Sequence, residues 1–167
     1  MVAGLVIALP LLVLLGLGLG RAGSVYLKFR GKRVIPCPEL GQPAAVDLSA
    51  VRIALKAVFR KPVLRLLYCS NWTGHGGCNQ DCLAQLGAAP EEYRVRRILT
   101  KWYAGKACVC CGTSVEQVDR LKHKPCLMSP DLRIREWSDI QPEMIPRVLE
   151  THGPVCRNCF VAETRTW

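Results

Sequence analysis

The sequence predicts one apolar N-terminal helix followed by a small α+β domain organised around cysteines. Three observations carry this. Met1 to Gly20 hold no charged side chain, and Arg21 is the first. Ten cysteines occur in 167 residues, several in close pairs. Between them, short apolar runs with period-two character alternate with short segments of helical periodicity.

The first 20 residues match the thickness of a bilayer core, so they are expected to form a transmembrane anchor. A secretory signal peptide is the rival reading. Such peptides open on a basic region and end at a small-residue cleavage site. Here nothing basic but the amino terminus precedes Val2, and Gly20-Arg21-Ala22-Gly23-Ser24 is a poor site. The anchor is expected over residues 1–27, a basic juxtamembrane linker over 28–36, and a cysteine-rich domain over 37–167. That domain divides into a first cysteine cluster (37–105) and a second (106–167). Within the helix, Gly16 and Gly20 have the small-xxx-small spacing that lets another helix approach.

Arg21, Lys28, Arg30, Lys32 and Arg33 follow the apolar run, and no acid appears before Glu39. Positive residues stay on the cytoplasmic side, so the C-terminal domain is expected in the cytoplasm, below a cell inner membrane. The formal net charge of +10 owes half its excess to this block. From Val34 onward 18 basic residues face 13 acidic ones, an ordinary solvated surface. No nucleic-acid-binding motif accompanies the charge, and nucleic acid is not an expected partner.

Several elements follow from pattern. Lys32 to Pro38 contain a short strand, and Ala44 to Leu48 a second. Val51 to Phe59 form a helix with the apolar row Val51, Leu55, Val58 and Phe59, and with Arg52, Lys56 and Arg60 on the other side. Pro62 ends it. Val63 to Tyr68 are expected as a buried strand, and Cys82 to Leu86 as a short helix. Pro90, Glu91 and Glu92 open a helix whose stripe is Val95, Ile98, Leu99 and Trp102, and Gly105 stops it. A further helix lies within Pro142 to His152, with Ile145, Val148, Leu149 and His152 on one face.

In a reducing compartment, clustered cysteines point to metal rather than to disulfides. Cys108-x-x-Cys111-Gly112 is followed 44 residues later by Cys156-x-x-Cys159. Each pair presents two sulfurs from one tight turn, and four thiolates make a tetrahedral zinc site. Gly112 permits the backbone conformation of such a knuckle. With a helix expected over Phe160 to Thr166, the arrangement resembles treble-clef and zinc-ribbon modules. A second set, Cys37, Cys69, Cys78 and Cys82, has gaps of 31, 8 and 3 residues and is expected as a separate metal site or as disulfides. Iron or an iron–sulfur cluster is the alternative to zinc. Haem attachment at Cys156-x-x-Cys159 is excluded because Phe160 stands where a histidine is needed. Cys110 and Cys126 are read as packing residues. His75 is a spare ligand candidate, His123 is expected to be exposed, and His152 to be a satisfied core residue.

The stretches Cys37-Pro38-Glu39, Gly77 to Gln85, Lys106 to Gly112, His123-Lys124-Pro125 and Cys156 to Glu163 are similar to an uncharacterised family of small bacterial cysteine-rich proteins. The resemblance covers most of the chain after residue 35 and implies no established activity. No Ser/His/Asp order, phosphate loop or paired carboxylate marks an enzyme. The expected role is an accessory or structural subunit of a larger membrane complex, respiratory or photosynthetic, with cysteine-held zinc. An electron-transfer protein with iron, or a thiol redox sensor, is the alternative.

Overall fold

A computed structural model describes residues 2–72, 78–115 and 126–164. His75 and His123 lie outside the described residues.

The apolar run folds as one helix, α1 (Val2–Phe29), 28 residues long. At 1.5 Å per residue it extends about 42 Å. It has the length and composition of a membrane span or of a signal sequence. Its last turn belongs to the domain, because Phe29 is buried and Val25 packs on the first core. Residues 28–36, expected as a linker, thus complete α1 and form strand β1 (Arg33–Pro36).

β1 pairs antiparallel with β2 (Pro43–Leu48), which pairs antiparallel with β3 (Leu66–Cys69). β3 starts later than its apolar pattern suggests, and only its ends are buried; Val63 stays exposed. Between β2 and β3 lies α2 (Ala50–Ala57), packed alongside α1. Its buried face is Ala50, Ile53, Ala54 and Ala57. The apolar row Val51, Leu55 and Phe59 points outward instead. Small alanines let α2 lie close to α1, and Val58 touches the position of Gly18.

The helix α3 (Cys82–Ala88) closes the first core, in which Leu86, Ile35, Val46 and Ile53 meet. α4 (Val95–Tyr103) begins five residues later than Pro90 suggests. The backbone of Tyr93 and Arg94 is taken by the sheet: Val34 N–H donates to Tyr93 O, and Arg33 and Arg94 form a bridge. Tertiary pairing here overrides local helix propensity. Gly105, at φ +71°, ends α4 as expected.

The second half has its own sheet, ordered β5-β4-β6, from β4 (Cys126–Met128), β5 (Ile134–Arg135) and β6 (Gly153–Val155). α5 (Ile145–Thr151) buries Ile145 and Val148, and α6 (Arg157–Thr164) follows β6 directly. α6 starts earlier than Phe160. Trp102, Tyr103 and Trp137 meet edge to face in this core, with centroids 4.8 to 6.3 Å apart. Trp137 donates to Tyr103 Oη at 2.9 Å, and Tyr103 donates to Cys126 O at 2.8 Å. His152 is half-buried at the end of α5, with Nδ1 2.8 Å from Thr151 Oγ1. It is satisfied there but lies outside both cores.

Candidate metal centre

The chain leaves α4 at Gly105 and turns back through a narrow loop. Cys108 N–H donates to Thr113 O at 2.8 Å, and Gly112 N–H to Cys108 O at 2.8 Å. Gly112 sits at φ +71°, in the left-handed region that side chains avoid. Val109 N–H donates to Pro154 O at 2.9 Å, which fixes this knuckle on β6. Cys156 follows β6, and Cys159 lies in the first turn of α6.

The two pairs converge. Cys108 and Cys159 sulfurs are 3.8 Å apart, and those of Cys111 and Cys156 3.7 Å. All four lie within 4.8 Å of one another. A tetrahedral ion with bonds of about 2.3 Å needs sulfurs about 3.8 Å apart. These separations are far beyond the ~2.05 Å of a disulfide, and no disulfide joins any of the ten cysteines. The expectation for Cys108, Cys111, Cys156 and Cys159 therefore holds as a four-cysteine cluster able to hold a metal ion.

The electrostatics favour thiolate at two positions. Burial opposes ionisation of Cys108, but backbone N–H groups of Cys156, Cys111 and Cys110 outweigh it and hold the thiol down at about 6. The Cys156 N–H lies 3.2 Å from this sulfur. Cys111 is lowered by Thr113, through its hydroxyl and then its backbone. Cys159 moves the other way, pushed up by sharing hydrogen bonds with Cys111 and Cys156. One cluster thus divides its protons unevenly, and its titration belongs to the group.

Cys110 differs from its expected packing role. It is exposed, and its thiol reaches those of Cys108 and Cys159. Cys126 does pack: it is fully buried in the second core, where its thiol meets Arg157.

The other four cysteines also share one place. Cys37 follows β1, Cys69 ends β3, Cys78 precedes α3 and Cys82 opens it. All four line one cavity of about 20 Å³, with Glu39 and Asp81 also in its wall. Their backbones repeat a feature of the first centre. Gln80 N–H donates to Cys78 Sγ at 3.4 Å, and Asn71 N–H to Cys69. Gln80 adopts φ 60° to do so, a costly conformation for a side-chain-bearing residue. Burial first, then neighbouring thiolates, push Cys69 up and push Cys82 up to about 11. A cation among them would reverse that repulsion. Among the described residues, only the first quartet has all its sulfurs within 4.8 Å of one another.

Gly16 and Gly20 have open space beside them on α1, while Gly18 faces Val58. No protein-family model matches the chain, and no curated protein or solved structure does either.

Proposed function

We propose that the chain is a membrane-anchored accessory protein whose second half is a structural zinc module of treble-clef type. The convergence of Cys108, Cys111, Cys156 and Cys159 at tetrahedral spacing is the observation that carries this reading. The knuckle, the β4–β5 hairpin and a helix starting at the second pair support the treble-clef comparison. Four sulfurs, with no nitrogen or oxygen ligand among the described residues, suit zinc, which closes such a site and leaves no coordination position for substrate. The ion would tie the 106–115 knuckle to β6 and α6, and so complete the second core.

Cys37, Cys69, Cys78 and Cys82 are proposed as a second site for a single ion. The cavity they line has room for about one water-sized occupant, which suits a single ion. α1 is proposed as the anchor, with the domain on the cytoplasmic face of an inner membrane. Arg21, Lys28, Arg30 and Lys32 support that orientation. Arg33 does not contribute, because its charge is buried. The open faces of Gly16 and Gly20 are proposed as the contact with a helix of a larger membrane complex.

The test is metal analysis of the full chain, purified in mild detergent, with its visible spectrum. Colourless protein with zinc lost in Cys108→Ser and Cys156→Ser supports the reading. Iron with charge-transfer bands would replace it with electron transfer, and protein free of metal as isolated would overturn both. Native mass measurement from membranes should show the chain with a larger partner; a lone monomer would remove the accessory role.

A further inference from the structure

Among the described residues, nothing covers the row Val51, Leu55 and Phe59 on and just past α2. Phe59 is 89% exposed, Leu55 62% and Val51 58%, two large apolar side chains on one line of α2 and a third in the turn just past its end. Isolated exposed apolar residues are ordinary, but an aligned row beside a basic one is not. Arg52 and Lys56 flank the row, both exposed, and Arg60 and Lys61 follow. From Arg52 to Arg65 there are five basic residues, and no acid lies between Asp47 and Asp81.

The position of α2 along α1 says what covers this face. Arg21 Nε donates to Ala57 O at 2.6 Å, and Val58 lies 3.4 Å from the Cβ position at Gly18. The C-terminal end of α2 is thus level with residues 18–21 of α1. From Val2 to Arg21 the helix rises about 29 Å, close to the ~30 Å of a bilayer core. If α1 spans, the membrane surface falls near Arg21, and Phe59 falls there too. A soluble partner would have to reach this row against the headgroups, whereas lipid already borders it. We propose that Phe59, at the membrane end of this row, inserts into the interfacial region of the bilayer beside α1, with Arg60 and Lys61 on anionic lipid headgroups. This rests on the reading of α1 as a membrane span. α2 then orients the domain: one helix fixes its distance from the membrane, and a second contact fixes its tilt.

The experiment uses the full chain in nanodiscs of phosphatidylcholine and phosphatidylglycerol. A trifluoromethyl-phenylalanine replaces Phe59 in one sample and Leu14 in another, both exposed positions. Fluorine resonances are recorded with a lipid spin-labelled high on its acyl chain, and then with a water-soluble gadolinium chelate. The inference expects the lipid label to broaden both probes severalfold more than the chelate does. It also expects the effect at position 59, not at 14, to weaken when phosphatidylglycerol is removed. Lipid broadening at 14 with chelate broadening at 59 overturns this inference and leaves the anchor standing. No lipid broadening at 14 overturns the anchor, and the inference with it. A probe at 59 shielded from both agents means a protein covers the row, which also overturns it. Indifference at 59 to phosphatidylglycerol removes the role of the basic residues.

Discussion

Arg33 is the side chain whose loss should be felt most in the first half. It is fully buried, at 0% exposure, and among the described residues no carboxylate is in hydrogen-bond contact with it. Its guanidinium instead serves carbonyls at the end of α1: Nη1 donates to Phe29 O at 2.7 Å and Gly31 O at 2.8 Å, and Nη2 to Lys28 O at 2.7 Å. Nε reaches Pro90 O at 3.2 Å. The last carbonyls of a helix lack partners within it, and a cation there also complements the helix dipole. Burial, and then Arg94 nearby, lower the proton affinity of Arg33. Arg33→Met keeps the stem and removes all four donors. Charge-assisted hydrogen bonds contribute about 1.5–3 kcal/mol each, and they do not add. Arg94 still reaches Leu27 and Lys28, and the desolvation cost of the guanidinium is recovered. A net loss of about 3–5 kcal/mol follows. For a chain of this size that lowers the melting temperature by roughly 10 °C. Arg33→Lys should fall between, since an ammonium cannot fork. Thermal unfolding in detergent, followed by circular dichroism, measures all three. An Arg33→Met chain within about 1 kcal/mol of the parent would refute the capping argument.

Other consequences are open to direct measurement. A Cβ at Gly153 would lie 2.8 Å from Val109 Cγ1, so Gly153→Ala should cost about 1–3 kcal/mol and weaken metal retention. Val109→Ala should restore most of both, and an undiminished penalty in that background would show the clash is not the cause. Cys108 is held at about 6, so metal uptake by the first cluster near pH 7.5 should release fewer than four protons. Release should rise toward four as pH falls through about 6, because the depressed group regains its proton there; calorimetry in buffers of different ionisation enthalpy reads the count, and four protons at pH 7.5 would contradict the assignment. Stripping metal from the first cluster should speed hydrogen exchange in β4, β6 and α6 and leave β1 and β2 protected, since the two cores share no buried residue. Uniform deprotection would mean the halves unfold as one.

The first cysteine cluster was legible because its chemistry is local. A Cys-x-x-Cys turn followed by glycine states its geometry within five residues, and only the meeting of the two turns needed the fold. The second quartet has no such spacing. Cys37 and Cys69 come to one cavity because β1 and β3 flank β2, a register no local pattern encodes. Arg33 was misread for a related reason. A basic block after an apolar helix looks like a membrane signal, and nothing local separates the arginine that folds inward from its four neighbours. In α2 the larger residues marked the wrong face. Hydrophobic size ranks Val51, Leu55 and Phe59 above Ala50, Ala54 and Ala57, but close helix packing selects the small side chains.

α4 joins what the two cores hold separately. Its N-cap residue, Arg94, donates to Lys28 O at the end of α1 and pairs with Glu91. Trp102, near its far end, donates to Leu149 O at 2.9 Å and packs on the second core. Tyr103 follows, buried against Cys126, and two residues later Gly105 turns the chain toward Cys108. A nine-residue helix is too short to be stable by propensity, so its order comes from these attachments at both ends. A displacement at the end of α1 therefore has a short, packed route to the Cys108 knuckle. α1 is also held at its base by Arg33, Phe29 and α2, independently of α4.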